Sequence, residues 1–324
     1  MTVSLPRSAL VTGVAGFVAS HLAEALLDHG TQVTGLDRRS PETDAVAAAN
    51  LTACLGRPGF TLARADLIDC ELAPLLATVD VVFHLAGIPG VRASWGARFP
   101  EYVASNIVAT RRLAATCHQL GVPRLVVASS SSVYGPAGDR PVTEDGPTRP
   151  MSPYGVTKLA GEQLSLAYGS LPQPATTVVA LRYFTVYGPR QRPDMLIQRA
   201  LQAALGGEEL LVYGDGKQRR DFTFVGDVVR ASLLAAGVPG PAEVLNVAGG
   251  NSVSVTEVLA TIAELTGRPV PTRSAPDQAG DVPGTWADTS KARSLLHWQP
   301  RTGLADGLAQ QLDWLRCHQP GGHR

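Results

Sequence analysis

A glycine-punctuated stretch near the start restricts the folds open to this chain more than any other feature. Residues 8 to 12, SALVT, form a short apolar run that meets GVAGFVASHLAEALLDHG, where apolar residues recur at helical spacing up to Gly30. The next apolar run, QVTGLD, ends in Asp37, which completes a strand, turn, helix and strand of ordinary βαβ length. GFTLARAD, VDVVFHLAG and PRLVVASSS then read as three further buried strands. Strands alternating with helical patterns imply an α/β fold, a Rossmann-type doubly wound parallel sheet.

The turn also suggests a ligand. Gly13, Gly16 and Ala19 lie three apart where the first strand hands over to the first helix. Small residues there let backbone approach a pyrophosphate, and the helix N-terminus offers free amides and positive dipole. The spacing is G-x-x-G-x-x-A, not the commoner G-x-G-x-x-G, so a merely tight connection stays open. Asp37 stands where a carboxylate would hold the adenosine ribose hydroxyls and repel a 2′-phosphate, which favours NAD. Arg38 and Arg39 beside it leave NADP open. Asp66, after the third strand, serves either the adenine side or a turn.

From about residue 172 Pro and Gly become more frequent and the segments shorten: strands TTVVALRYF, ELLVY and EVLNVAG, and helices DMLIQRALQAAL, VGDVVRASLLAA and SVTEVLATIAELTG. The expected division is a dinucleotide-binding domain over 1–171, to which parts of 172–250 return, and a smaller C-terminal α/β substrate lobe within 172–324. With 324 residues the core is large enough for either one unit or two lobes. Twenty-eight acidic and 28 basic residues balance, which supports neither a nucleic-acid groove nor an anionic membrane surface. A small-molecule partner is expected. The cysteines, at 54, 70, 117 and 317, have no metal-ligand or disulfide-framework spacing. MTVSLPRSALVTG lacks a signal-peptide core, and no run of about 18 apolar residues occurs, so a soluble cytoplasmic protein is expected.

The chemistry is expected in MSPYGVTKLAGEQL, residues 151 to 164. Ser152 can accept from free helical amides and Pro153 fits the first turn, so a helix begins here. Tyr154 and Lys158 are then one turn apart on one face. A nearby ammonium favours phenolate, which would make Tyr154 a usable general base. By spacing alone, a chance pair on an amphipathic helix is the other reading.

TGVAGFVASHL, Asp37, RADL, HLAG, ASSSSVYG, SPYGVTK and RYFTVYGPRQRPDM come in the order and spacing of the extended short-chain dehydrogenases/reductases, and the chain resembles their nucleotide-sugar epimerases and dehydratases from residue 8 to about 316. The resemblance implies a retained NAD running along Gly13, Gly16, Phe17, Val18, Asp37, Arg38, Asp66, Leu67, Leu85, Ala86, Gly87 and Tyr183, with Tyr154 and Lys158 at its nicotinamide end. It implies a homodimer joined by a four-helix bundle of the helices near 100 to 119 and 154 to 169. Ser130 falls at the family's active-site Ser or Thr, where it would relay a hydrogen bond to the sugar 4-hydroxyl while Tyr154 takes the proton. For the four-serine run, residues 129–132, a polar turn after a strand is the alternative.

Ser131 and Ser132 stand where the family's dehydratases carry Asp-Glu, and serine supplies neither the acid nor the base that eliminating water requires. The related decarboxylases usually carry Glu at Ser132. Thr185, Arg192, Pro193, Asp194 and Met195 together resemble the UDP-glucuronate 4-epimerases. Thr185 and the serines would hold a sugar carboxylate, with Arg192 on the sugar or diphosphate. Arg220 matches the family's diphosphate arginine, Arg92 is expected either as a third contact or in a helix-capping or surface role, which stays the other reading for each of these arginines, and Gln278 is typical of the glucuronate branch. Gly87 replaces a usual alanine and is expected either to admit the cofactor or to enlarge the sugar pocket.

These residues imply an NAD-dependent UDP-sugar 4-epimerase, UDP-glucuronate favoured over UDP-glucose, with no metal. UDP against dTDP and the C6 group stay open. The alternatives are a UDP-glucuronate decarboxylase, an NDP-sugar 4-ketoreductase, and, outside catalysis, an NAD-bound regulatory protein.

Overall fold

The computed structural model describes residues 6–318 except 137, 139, 173–175, 239, 241 and 277–279. Its first half alternates strand and helix: β1 (Ser8–Thr12), α1 (Phe17–Asp28), β2 (Gln32–Asp37), α2 (Ala45–Leu51), β3 (Phe60–Arg64), α3 (Ala73–Leu76), β4 (Val81–His84), α4 (Phe99–Val103), α5 (Ala109–Leu120), β5 (Arg124–Ser130) and α6 (Pro153–Gly169). The second half is more broken: β6 (Thr177–Tyr183), β7 (Val186–Tyr187), α7 (Leu196–Ala204), β8 (Leu210–Tyr213), β9 (Arg219–Asp221), β10 (Thr223–Phe224), α8 (Val225–Ala235), β11 (Ala242–Val247), β12 (Ser252–Ser254), α9 (Val255–Thr266), β13 (Thr272–Ala275), α10 (Ser290–Leu296) and α11 (Leu304–His318).

Seven strands form one parallel sheet in the order β11-β6-β5-β4-β1-β2-β3. This is the Rossmann-type α/β fold expected, widened by β11. Every residue of β4 is buried, as in a strand with helices on both faces. Side-chain alternation sends β1 into two cores: Ala9 and Val11 join Leu22, Leu26 and Val228 on one face, and Leu10 joins Val82, Leu113 and Leu125 on the other. Strand order reverses between β1 and β4, and their C-terminal ends part into a cleft, the usual ligand crevice of such sheets.

The later segments expected as strands divide between two places. TTVVALRYF and EVLNVAG supply β6 and β11 to the main sheet. ELLVY supplies β8, which pairs with β13, while β9 pairs with β12 and β7 with β10. These small pairs stand over the open side of the cleft, with Thr185 before β7 and Arg220 on β9 facing into it. The helix expected near 100 to 119 is not uniform: a π-helical turn, Ala104–Val108, joins α4 to α5.

Candidate active site

The glycine turn follows from backbone packing. Gly13 has φ +69°, and a Cβ there would lie 2.8 Å from the Ala86 Cα, so only glycine lets the end of β1 close on the end of β4. Gly16 precedes α1 with no side-chain cap, which leaves the amides of Phe17 and Val18 facing the cleft. Ala19 is buried beneath them. Asn50, on α2, was not expected: its amide donates to the Ala15 carbonyl at 2.8 Å and pins the turn from above.

Asp37 ends β2 almost fully buried. Its carboxylate accepts from the Ala15 amide at 3.0 Å and from the Arg39 amide at 2.9 Å, with the Arg39 guanidinium at 3.3 Å from both oxygens. Arg38 pairs with Asp66 at 3.3 Å. Both arginines are thus drawn onto carboxylates at the corner where a 2′-phosphate would need them.

The opposite wall is β5 and α6. Ser152 caps α6 by accepting from the Gly155 amide at 3.1 Å, and Pro153 takes the first position, as the sequence implied. The Ser130 hydroxyl accepts from the Ser132 amide at 3.1 Å, which fixes the turn after β5. Lys158 donates to the Ala128 carbonyl at 2.6 Å. Burial pushes the Lys158 amine down to about 8 and pushes the Tyr154 phenol up; a hydrogen bond from Ser130 and the charge of Arg192 pull the phenol back. The expected lowering of Tyr154 by Lys158 is therefore not what sets the phenol. The ammonium is engaged at the strand end, and desolvation dominates.

Beneath this wall lies a buried network that sequence reasoning missed. Glu162, one turn beyond Lys158, accepts from Ser129 Oγ at 2.6 Å and pairs with Arg182 at 2.6 Å. Arg182 donates to the Tyr134 hydroxyl at 2.7 Å, which donates to Asn246 at 2.7 Å. On α6 alone, Glu162 reads as an exposed helix position; its partner arrives from β6. Asn106, in the π-helical turn, is also unanticipated: it accepts from the Ile88 amide at 2.8 Å and donates to Thr157 at 3.0 Å. A Cβ at Gly87 would lie 2.9 Å from the Asn106 Oδ1, so glycine at 87 makes room for Asn106 and does not enlarge a sugar pocket.

The glycine turn, the Asp37 corner and the wall of β5 and α6 face one cavity of about 1030 Å³. It brings together Gly13, Gly16, Phe17, Val18, Asp37, Arg38, Asp66, Leu67, Leu85, Ala86 and Gly87 at one end, and Ser130, Ser131, Tyr154, Lys158, Tyr183, Thr185, Arg192 and Arg220 at the other. Tyr183 lines it by its ring, because its hydroxyl bonds Ser232 at 2.8 Å. Arg192 is held by Asp194 through two contacts, at 2.9 and 2.7 Å. Burial pushes the Arg220 guanidinium below its usual range. Arg92 does not line the cavity: it pairs with Asp281 at 2.8 Å and lies 3.9 Å over the Tyr213 ring. Gln278 lies outside the described residues. Among those described, no cluster of three His, Cys, Asp or Glu side chains is placed to hold a metal, and no helix is long and apolar enough to cross a membrane.

The cleft fits a dinucleotide: an uncapped helix end for the pyrophosphate, a glycine where a Cβ would fill the approach, and a buried carboxylate at the ribose position. Comparison with known proteins agrees. Residues 9–248 match the NAD dependent epimerase/dehydratase family. An uncharacterized UDP-glucose epimerase of Bacillus subtilis (strain 168), YtcB, is 43% identical over 94% of this chain and 97% of its own. MoeE5, solved in complex with UDP-glucuronic acid and NAD, is 48% identical with a TM-score of 0.88, covering 96% of this chain and 100% of that one. The UDP-glucuronic acid 4-epimerase of Bacillus cereus, solved with UDP-glucuronic acid and NAD, is 38% identical with a TM-score of 0.90, covering 96% and 99%. Likeness this extensive in sequence and fold meets a cleft shaped for the same cofactor, and the chain therefore belongs to the NAD-dependent epimerase/dehydratase family.

Proposed function

We propose that this protein is a UDP-sugar 4-epimerase that takes UDP-glucuronate in preference to UDP-glucose. The observation that carries the reading is the joining of Ser130, Tyr154 and Lys158 in one cleft wall, between the dinucleotide turn and the arginines 192 and 220. Tyr154, in its phenolate form, takes the 4-hydroxyl proton and becomes the phenol, and Ser130, on the same cavity wall, relays the hydrogen bond to the sugar oxygen. Bound NAD would supply the hydride acceptor and donor for C4, so no net redox change accompanies turnover. Lys158 holds the nicotinamide ribose, and Gly13, Gly16 and the first amides of α1 hold the pyrophosphate. Arg192 and Arg220 grip the diphosphate side while the 4-keto sugar turns to present its other face.

The C6 preference is supported by Ser131, Ser132 and Thr185, hydroxyls on the same cavity that suit a carboxylate acceptor. No side chain in that serine run can serve as a strong acid or base, which favours epimerisation over elimination. Segments after residue 171 outside the main sheet would form the sugar-nucleotide lobe. Two copies would join across α6 and the helical stretch of α5 with the π-helical turn before it, where Val156 and Val108 are 48% and 43% exposed. The four free thiols suit a reducing cytoplasm.

The test is to incubate the purified protein with UDP-glucose and with UDP-glucuronate and follow the anomeric proton signals. A galacturonate-type product from UDP-glucuronate, formed faster than galactose-type product from UDP-glucose, is expected. Xylose-type signals with release of carbon dioxide would replace the reading by decarboxylation, and stoichiometric NADH or NADPH use by ketoreduction. No product in either tube would sink it.

A further inference from the structure

The turn between β4 and α4 holds a side chain with no part in the chemistry above. Ser94 is 0% exposed; its hydroxyl accepts from the Tyr154 backbone amide at 3.1 Å and donates to the Val91 carbonyl at 2.6 Å. The amides of a helix's first turn have no acceptor within the helix, and the Ser152 cap of α6 is spent on Gly155. Ser94 supplies the missing acceptor from 60 residues away. The Tyr154 ring is met by a residue of α4 that is itself tied to this turn. Tyr102 packs edge-on against it, with ring centroids 6.3 Å apart, and donates its hydroxyl to the Pro89 and Gly90 carbonyls at 3.2 and 3.1 Å.

Two residues before Ser94, Arg92 reaches the other way, to Asp281 at 2.8 Å and over the Tyr213 ring of β8. Gly280 closes the seam: a Cβ there would lie 3.2 Å from the Trp95 indole nitrogen and 3.3 Å from the Met151 carbonyl. One short 3-10 turn, Arg92–Ser94, is thus fastened at one end to the segments around β8 and β13 and at the other to the start of α6. Both fastenings involve side chains only two positions apart.

We propose that this turn is a strut: Ser94 is a positioning residue that fixes the first turn of α6, and with it Tyr154, while the Arg92 contact with Asp281 ties that position to the small strand pairs over the cleft. The inference rests on the proposed reaction, in which Tyr154 is the base. The Arg92–Asp281 pair is half-exposed, and such pairs contribute little to folding. Its removal therefore reads out transmission and not stability.

The experiment compares Ser94→Ala, Ser94→Thr, Asp281→Asn and the Ser94→Ala/Asp281→Asn double variant with the wild type, all as full chains with bound NAD, using UDP-glucuronate as the probe. Ser94→Ala is expected to lower kcat about tenfold, the loss of one hydrogen bond, with KM within about twofold. Ser94→Thr, which keeps the acceptor, restores kcat to within about threefold. Asp281→Asn lowers kcat about threefold, and the double variant is no slower than Ser94→Ala alone, because both changes break the same strut. A wild-type kcat in Ser94→Ala, a defect confined to KM, or effects that multiply in the double variant would overturn the proposal. Where Ser94→Ala does not fold, an unchanged kcat in Asp281→Asn overturns it. An inactive wild type would refute the proposed reaction and this inference together, whereas an active wild type beside an unaffected Ser94→Ala refutes this inference alone.

Discussion

At the scale of single residues the cleft sets two groups apart by burial. Tyr154 carries a phenol that desolvation holds up and Ser130 and Arg192 hold down. Tyr154→Phe removes the proposed proton acceptor and leaves the ring packing, so turnover should fall by at least about a hundredfold while NAD content is unchanged. Rapid steady-state turnover by this variant would remove the proposed base. His84 makes the second case. It is 3% exposed between Thr12 and Thr110, at 2.8 and 2.9 Å, and burial together with the charge of Lys158 pushes it down to about 3. Its folded pKa lies below the ordinary 6.5, so below pH 6.5 the unfolded chain takes up a proton that the folded chain does not. Stability should fall as pH drops from there, with a slope of up to about 1.4 kcal/mol per unit from this group, and should be untouched by it above pH 6.5. His84→Gln, which cannot titrate, should flatten the acid side of a plot of urea midpoint against pH; an unchanged slope would remove His84 from the acid sensitivity.

Elements explain which parts of the site could be read from the chain alone. The start of α6 was legible because its signals are local: Ser152, Pro153 and a period that carries Tyr154 to Lys158. The glycine turn was legible for the same reason. The π-helical turn Ala104–Val108 was not, because Asn106 finds its partners in the loop after β4 and on α6. The Glu162–Arg182 pair and the Ser94 contact with Tyr154 were hidden likewise by separation in sequence. One local feature acquires its reason only from packing. A Cβ at Gly155 would lie 2.5 Å from the Ser132 carbonyl, so the first turn of α6 seats directly on the serine turn. Gly155→Ala should overpack that contact at a cost of about 1–3 kcal/mol. We expect a lower melting temperature and a lower kcat together, with NAD retained; a variant as stable and active as the parent would show that the two turns are not in register-critical contact.

For the whole molecule, alternation of strand and helix was enough to give a parallel, doubly wound sheet, and composition was enough to turn attention to a small ligand. Which late strands join the sheet was not legible in detail, since β6, β8 and β11 are all short apolar runs and only their partners differ. Size should follow the exposed valines. For the proposed dimer, Val108→Arg with Val156→Arg is expected to halve the mass measured by light scattering while leaving bound NAD in place, and a mass unaltered from a dimeric parent would place the interface elsewhere. The strand order has a further consequence for biosynthesis. β1 is made first and ends in the middle of the sheet, whereas β11 comes from residues 242–247 and occupies the rim next to β6. A nascent chain would therefore carry its glycine turn long before the strand that ends in Ser130 gains a neighbour on its outer side. Ribosome-bound intermediates stalled before β6 would display a bare, apolar strand edge, the kind of surface on which chaperones act and aggregates begin.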